Sequence, residues 1–293
     1  GISVFQPLWA GADLVVANDR SGFWNLERWA GAATAAIPQD SEPTWQPLLP
    51  MQAEFAMPQW VFGMATTAWD GQRLLAIACE KGRWQLGEVV LGAAESQAAR
   101  APGQAQPATL PAAARWQPLA QPCDDLASLS AEAGRLACVA SGPSLPSGLL
   151  ELDLASGAWT HTPAAPCPLA PEAITVPEEL WFDGHGGQPT QAWYYPPAGG
   201  GHREAPLLVK SHSGPTAMAR TGLSLGIQFW TSRGWGVVDV NYGGSTGFGR
   251  AYRERLDGQW GVVDVADCAA AAEALVARGL ASAERIAIEG GSA

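Results

Sequence analysis

Near its end the sequence reads Arg285-Ile286-Ala287-Ile288-Glu289, a strand-like apolar run, and passes directly into Gly290-Gly291-Ser292-Ala293. A serine at a sharp strand-to-helix turn holds its hydroxyl above the edge of a sheet, and small neighbours are needed because the backbone bends tightly there. Gly290-Gly291-Ser292 supplies the first half of a G-x-S-x-G pattern, and a nucleophile that receives an acyl group is the chemistry it would serve. Gly-Gly-Ser is also ordinary loop sequence, so the reading depends on its company.

Two further loops provide that company. Leu207-Leu208-Val209-Lys210-Ser211 reads as a short buried strand, and His212-Ser213-Gly214-Pro215 follows it, where backbone N–H groups can face an oxyanion. The run from Trp235 to Asn241 reads as the next strand and leads into Tyr242-Gly243-Gly244-Ser245-Thr246-Gly247-Phe248-Gly249. All three loops leave the carboxyl ends of predicted strands, the edge at which α/β sheets bind ligands. The glycine-rich run lacks a following Gly-Lys-Ser/Thr, which argues against a phosphate cradle. No cofactor and no metal site is expected.

Over nearly its whole length, and most specifically from Pro206 to Ala293, the chain resembles the prolyl oligopeptidase family of serine peptidases, in its acylaminoacyl-peptidase and dipeptidyl-peptidase-like branch. Leu207 to Pro215 is similar to the family's strand and His-Gly-Gly-Pro loop, with Ser213 replacing the first Gly. Asn241 to Gly249 resembles Asn-x-Arg-Gly-Ser-x-Gly-x-Gly, with Gly243 where Arg is usual. Gly258-Gln259-Trp260-Gly261 with Asp264 and Asp267 resembles Gly-x-Trp-Gly-x-x-Asp-x-x-Asp, and Arg285 to Ala293 resembles the approach to the nucleophile elbow.

The resemblance implies a β-propeller capping an α/β-hydrolase, and a serine peptidase acting on short peptides. It makes Ser292 the nucleophile and the N–H groups of Gly214 and Ala293 the oxyanion hole. His212, Ser213, Asn241 and Tyr242 become supports of the site loops. In this fold the acid and the base follow the serine, so no histidine of this sequence is expected to act as base. An esterase or lipase on the same scaffold, and a non-catalytic propeller that binds protein partners, stay open as alternatives.

Two grammars organise the 293 residues. The first half shows short alternating runs separated by turns, as in Asp13 to Ala17 and Phe23 to Trp29 around the polar turn Asn18 to Gly22. Trp45-Gln46-Pro47-Leu48 is echoed by Trp116-Gln117-Pro118-Leu119, and Phe5 to Trp9 by Phe55 to Trp60. These echoes suit about three propeller blades over residues 1–161, with an exposed loop from Ala93 to Ala114. Residues 162–171, rich in proline, read as a linker. Residues 172–293 then alternate strands and helices, which predicts a parallel sheet covered on both faces. One helix is predicted over Gly222 to Arg233 and another over Asp264 to Arg278, with its apolar face on Val265, Cys268, Ala269, Ala272, Leu275 and Val276.

Composition narrows the field. With 17 Lys and Arg against 28 Asp and Glu the net charge is −11, which argues against a nucleic-acid surface. No run is long and apolar enough for a membrane helix. The five cysteines include no C-x-x-C pair and read as mostly buried thiols of a reducing, cytoplasmic compartment. Peptide substrates are the partners expected, with no nucleic acid and no membrane, and no oligomeric state is assigned. A chain that opens on Gly1 within a strand and closes on Gly-Gly-Ser-Ala reads as an internal fragment. Such a segment is expected to be inactive and aggregation-prone when expressed alone.

Overall fold

The structure, a computed structural model, describes residues 1–33, 44–91 and 114–292. Three four-stranded antiparallel sheets come first, each in sequential strand order. The first holds β1 (Val4–Ala10), β2 (Asp13–Asn18), β3 (Asn25–Trp29) and β4 (Gln46–Pro47). The second holds β5 (Thr67–Trp69), β6 (Leu74–Glu80), β7 (Arg83–Val90) and β8 (Arg115–Pro118). The third holds β9 (Asp125–Glu132), β10 (Arg135–Gly142), β11 (Leu145–Asp153) and β12 (Trp159–Pro163). Among the described residues no sheet closes on itself, and the series has the form of a propeller fragment.

The Trp-Gln-Pro-Leu echo falls on equivalent outer strands, β4 and β8. The Phe5/Phe55 echo does not, because residues 55–60 form a loop ahead of β5 whereas Phe5 to Trp9 lie in β1. Residues 93–113 of the expected insertion lie outside the described residues. Alternation buries one side of each strand, and two apolar clusters fill the space between sheets, one around Trp24, Leu26 and Phe55 and one around Leu75, Leu126 and Leu150.

The fourth sheet is mixed, with strand order β13-β14-β16-β15-β17. It comprises β13 (Glu178–Asp183), β14 (Pro189–Tyr195), β15 (Leu207–Ser211), β16 (Gly236–Asn241) and β17 (Ile286–Gly290). Strands β16, β15 and β17 run parallel, and the antiparallel β13–β14 hairpin extends them. Helix α1 (Leu225–Thr231) covers one face and helix α3 (Val263–Ala277) the other, with the short α2 (Arg250–Arg253) between β16 and α3. Helix α1 is capped by the Ser224 hydroxyl, which accepts the Ile227 N–H. Helix α3 ends in a Schellman motif: Gly279, at φ +72°, donates to Val276 and Leu280 donates to Leu275.

Two expectations about this half need correction. The buried face of α3 carries Val263, Asp267, Cys268, Ala271, Ala272 and Leu275, whereas Val265 and Ala269 are exposed. The face turns because the Asp267 carboxylate is drawn inward to satisfy two backbone donors. Strand β17, in a sheet expected to be covered on both faces, is exposed along its length, and among the described strands it pairs with β15 alone.

Charged groups join the two halves. Asp19, after β2, accepts hydrogen bonds from Arg250 (2.9 Å) and Arg253 (2.7 Å) of α2. Burial opposes ionisation of Asp19, but the bonds and charges of these arginines, with the Ser3 N–H, outweigh it and hold the carboxyl below its ordinary value. Glu54, only 1% exposed, accepts the N–H of Trp24 (2.6 Å) from the first half and of Gly249 (3.0 Å) from the second. Arg253 lies 3.8 Å from it and stacks over Trp24. Further round, Arg220 pairs with Asp125 and Thr221 donates to Asp124.

Candidate functional site

Parallel register aligns the ends of three strands, pairing Ser211 with Val240 on one side and with Gly290 on the other. The loops that follow β15, β16 and β17 therefore leave the sheet side by side. Gly290 lets the strands approach closely here, because a Cβ there would overlap the Ser211 hydroxyl and force it to turn aside. Two residues on, Ser292 takes φ +53°, a left-handed conformation uncommon for a residue with a side chain and typical of strained functional turns. Its carbonyl accepts the Gly214 N–H at 3.0 Å. The structure thus brings Gly214 to Ser292, with the Gly214 donor spent on that carbonyl. Ala293 lies outside the described residues.

His212 is held from every side. Its ring stacks on Tyr242 at 4.4 Å and 14°. Nε2 lies 2.7 Å from the Ser245 hydroxyl, and Nδ1 lies 3.0 Å from the Ser213 carbonyl. The Tyr242 hydroxyl donates to the His212 carbonyl at 2.7 Å. Burial lowers the imidazole to about 4, against the pull of the Ser213 carbonyl, so the ring is neutral at pH 7. A neutral ring carries one proton and makes one donor bond at most, and the Ser245 hydroxyl beside Nε2 itself donates to the Tyr242 carbonyl at 2.7 Å. Both ring nitrogens face oxygens of the site loops, and the ring braces those loops.

The remaining braces are buried acceptors. The Asn241 side chain accepts the Ala219 N–H (2.7 Å) and donates to Gln191 (2.5 Å), fixing the end of β16 against β14. Asp267 accepts the N–H groups of His185 and Gly243, each at 2.7 Å. Gly243 packs so tightly under Val263 and Arg255 that a Cβ would not fit. Beneath the serine a charged row crosses three strands in register: Asp239 of β16, Lys210 of β15 and Glu289 of β17, with Lys210 and Glu289 ion-paired. Burial pushes Asp239 up to about 7 even though Lys210 pulls it down. These three residues, with residues 211–213 and 290–292, line a cavity of about 550 Å³.

Ser292, Gly214, His212, Ser213, Asn241 and Tyr242, all singled out in the sequence, thus share one sheet edge. Asp239, Lys210, Glu289 and Ser245 were missed. The signal of the first three, a charged residue at the same height near the end of each of three adjacent strands, is visible only once the register is known. Among the described residues no group of three or more His, Cys, Asp or Glu side chains is placed to hold a metal ion.

Comparison with known proteins gives this geometry a family. The sequence model of the prolyl oligopeptidase family matches residues 221–293. Dipeptidyl peptidase family member 6 of Caenorhabditis elegans is 37% identical over 86 residues, covering 29% of this chain and 12% of that protein. Acylamino-acid-releasing enzyme 1 of Oryza sativa subsp. japonica is 36% identical over 87 residues, covering 30% and 11%. Among solved structures, a puromycin-hydrolyzing peptidase of Mycobacterium tuberculosis superposes with a TM-score of 0.82 at 35% identity, covering 100% of this chain and 42% of that one. The chain is thus similar to serine-type peptidases of the prolyl oligopeptidase family, by sequence over its last quarter and by fold along its length, and it spans less than half the length of these relatives.

Proposed function

We propose that this protein hydrolyses peptide bonds of short peptides through an acyl-enzyme on Ser292. In this reading residues 1–161 are three blades of a propeller, 162–171 a linker and 172–293 the first part of an α/β-hydrolase domain. One observation carries it: Ser292 sits in a left-handed turn directly after β17, with the Gly214 loop bonded to it at 3.0 Å. Relatives named as peptidases, acylamino-acid-releasing enzymes and a puromycin-hydrolyzing peptidase support amide hydrolysis.

The Ser292 hydroxyl attacks the substrate carbonyl, an O–C bond forms and its proton passes to a general base. The tetrahedral oxyanion collapses with cleavage of the C–N bond, the base returns the proton to the leaving amine, and water then releases the acyl group. Gly214 serves as oxyanion donor once its N–H leaves the Ser292 carbonyl, with Ala293 as its partner. Each such donor contributes about 3 kcal/mol in the transition state. Chain order in this fold puts the acid and the base after the serine, so residues 1–293 by themselves are expected to turn over no peptide.

The test uses the gene product that contains these residues. A fluorophosphonate probe should label Ser292, and Ser292→Ala should abolish both labelling and peptide turnover. Turnover that survives in the variant, or hydrolysis of esters with none of peptides, overturns the reading.

A further inference from the structure

Residues 58–64 form a loop with a fixed stem and an exposed apolar tip. On one side of the stem Phe55, Ala56 and Met57 are buried; on the other Thr66 and Ala68 are buried. The Thr66 N–H donates to Gln6 at 2.6 Å and its hydroxyl donates to the Phe55 carbonyl, which ties the two sides together. Gly63, at φ +81°, closes the turn. At the tip Trp60, Val61 and Phe62 are 61%, 64% and 106% exposed. Among the described residues no other three consecutive large apolar side chains stand so far in solvent, and such a patch marks a surface with something to bind.

The tip is also aimed. The Trp60 indole N–H donates to the Thr216 carbonyl at 2.9 Å, reaching from the first half of the chain to the second. Thr216 is two residues past Gly214, whose N–H meets the Ser292 carbonyl. Two residues span at most about 7 Å. A peptide held at Ser292 in extended form advances by about 3.4 Å per residue, so a side chain two or three residues from the scissile bond is within reach of the tip. The polar end of Trp60 is spent on the protein, which leaves the apolar ring and Phe62 for the visitor.

We infer that Trp60 and Phe62 form an apolar subsite that selects peptides with an aromatic or large aliphatic side chain two or three residues from the scissile bond. The inference rests on the peptidase reading above. Because Phe62 is wholly exposed, its truncation leaves the fold intact.

The experiment compares peptides carrying Ala or Phe at each of three positions on either side of the cleaved bond, using the gene product that contains these residues. The wild-type protein should favour Phe at the second or third position from the cleaved bond by about tenfold in kcat/KM, a typical hydrophobic-pocket discrimination, and a preference confined to the residue next to that bond overturns the subsite. Phe62→Ala and Trp60→Ala should each reduce that preference at least about threefold, through KM, while Ser292 labels with fluorophosphonate at the wild-type rate. Unchanged preferences in both variants sink the subsite and leave the peptidase standing. A uniform loss across all peptides together with a lower melting temperature also sinks it, since that marks a structural contact. Failure of the wild-type Ser292 to label sinks the peptidase reading itself and the subsite with it.

Discussion

Glu54 should make the join between the two halves weaken as pH rises. Burial pushes its carboxyl from an ordinary 4.5 up to about 7, although the Trp24 and Gly249 N–H groups and Arg253 pull it down. The folded chain therefore holds this proton to higher pH than the unfolded chain. Stability falls wherever the folded state binds more protons, so Glu54 costs nothing below about pH 4.5, costs progressively more up to about pH 7, and a constant amount above. The width of the window sets that cost at about 3 kcal/mol.

The groups that face Glu54 do not titrate in the same window. Asp19 is held below its ordinary value, the Cys79 thiol is pushed far up, and the Arg250 guanidinium is held above its ordinary value by Asp19. Glu54→Gln keeps an acceptor oxygen and removes the titration. Urea denaturation of both proteins from pH 4.5 to 8, followed by tryptophan emission, isolates the effect, because the difference between them cancels the similar contribution of Asp239. The variant should gain about 3 kcal/mol on the wild type across this range. A difference that stays flat, or moves the other way, refutes the argument that Glu54 is buried against the second half.

Three further outcomes follow from the same contacts. Asp267→Ala leaves the His185 and Gly243 N–H groups buried without an acceptor and should destabilise the protein by about 2–5 kcal/mol, read from urea denaturation at pH 7. Gly290→Ala should slow fluorophosphonate labelling of Ser292, because its Cβ displaces the Ser211 hydroxyl and crowds the Ser211 carbonyl, whereas Gly291→Ala meets no atom within 4 Å and should retain the wild-type rate. His212 should titrate near 4 by NMR, so the pH profile of the active protein should show no inflection from this ring between pH 5 and 8.

What the sequence revealed and what it hid divide along one physical line. Strands announce themselves by alternation, and most of those in the first half stand within a few residues of where it puts them. Helix α3 was legible in length, running from Val263 to Ala277 against a predicted Asp264 to Arg278. Its face was misread because periodicity counts apolar side chains, whereas the inward-facing Asp267 is held by backbone donors from two other segments. Ser292 and its two neighbouring loops were legible because small residues at strand ends are a local signal. The row Asp239–Lys210–Glu289 and the cluster Asp19–Glu54–Arg253 carry no local signal at all. Each of these charges looks like an ordinary polar position until β-sheet register, or the packing of α2 on the first sheet, sets it beside a partner. Their energetics arise from burial and pairing together, and both are properties of the assembled fold.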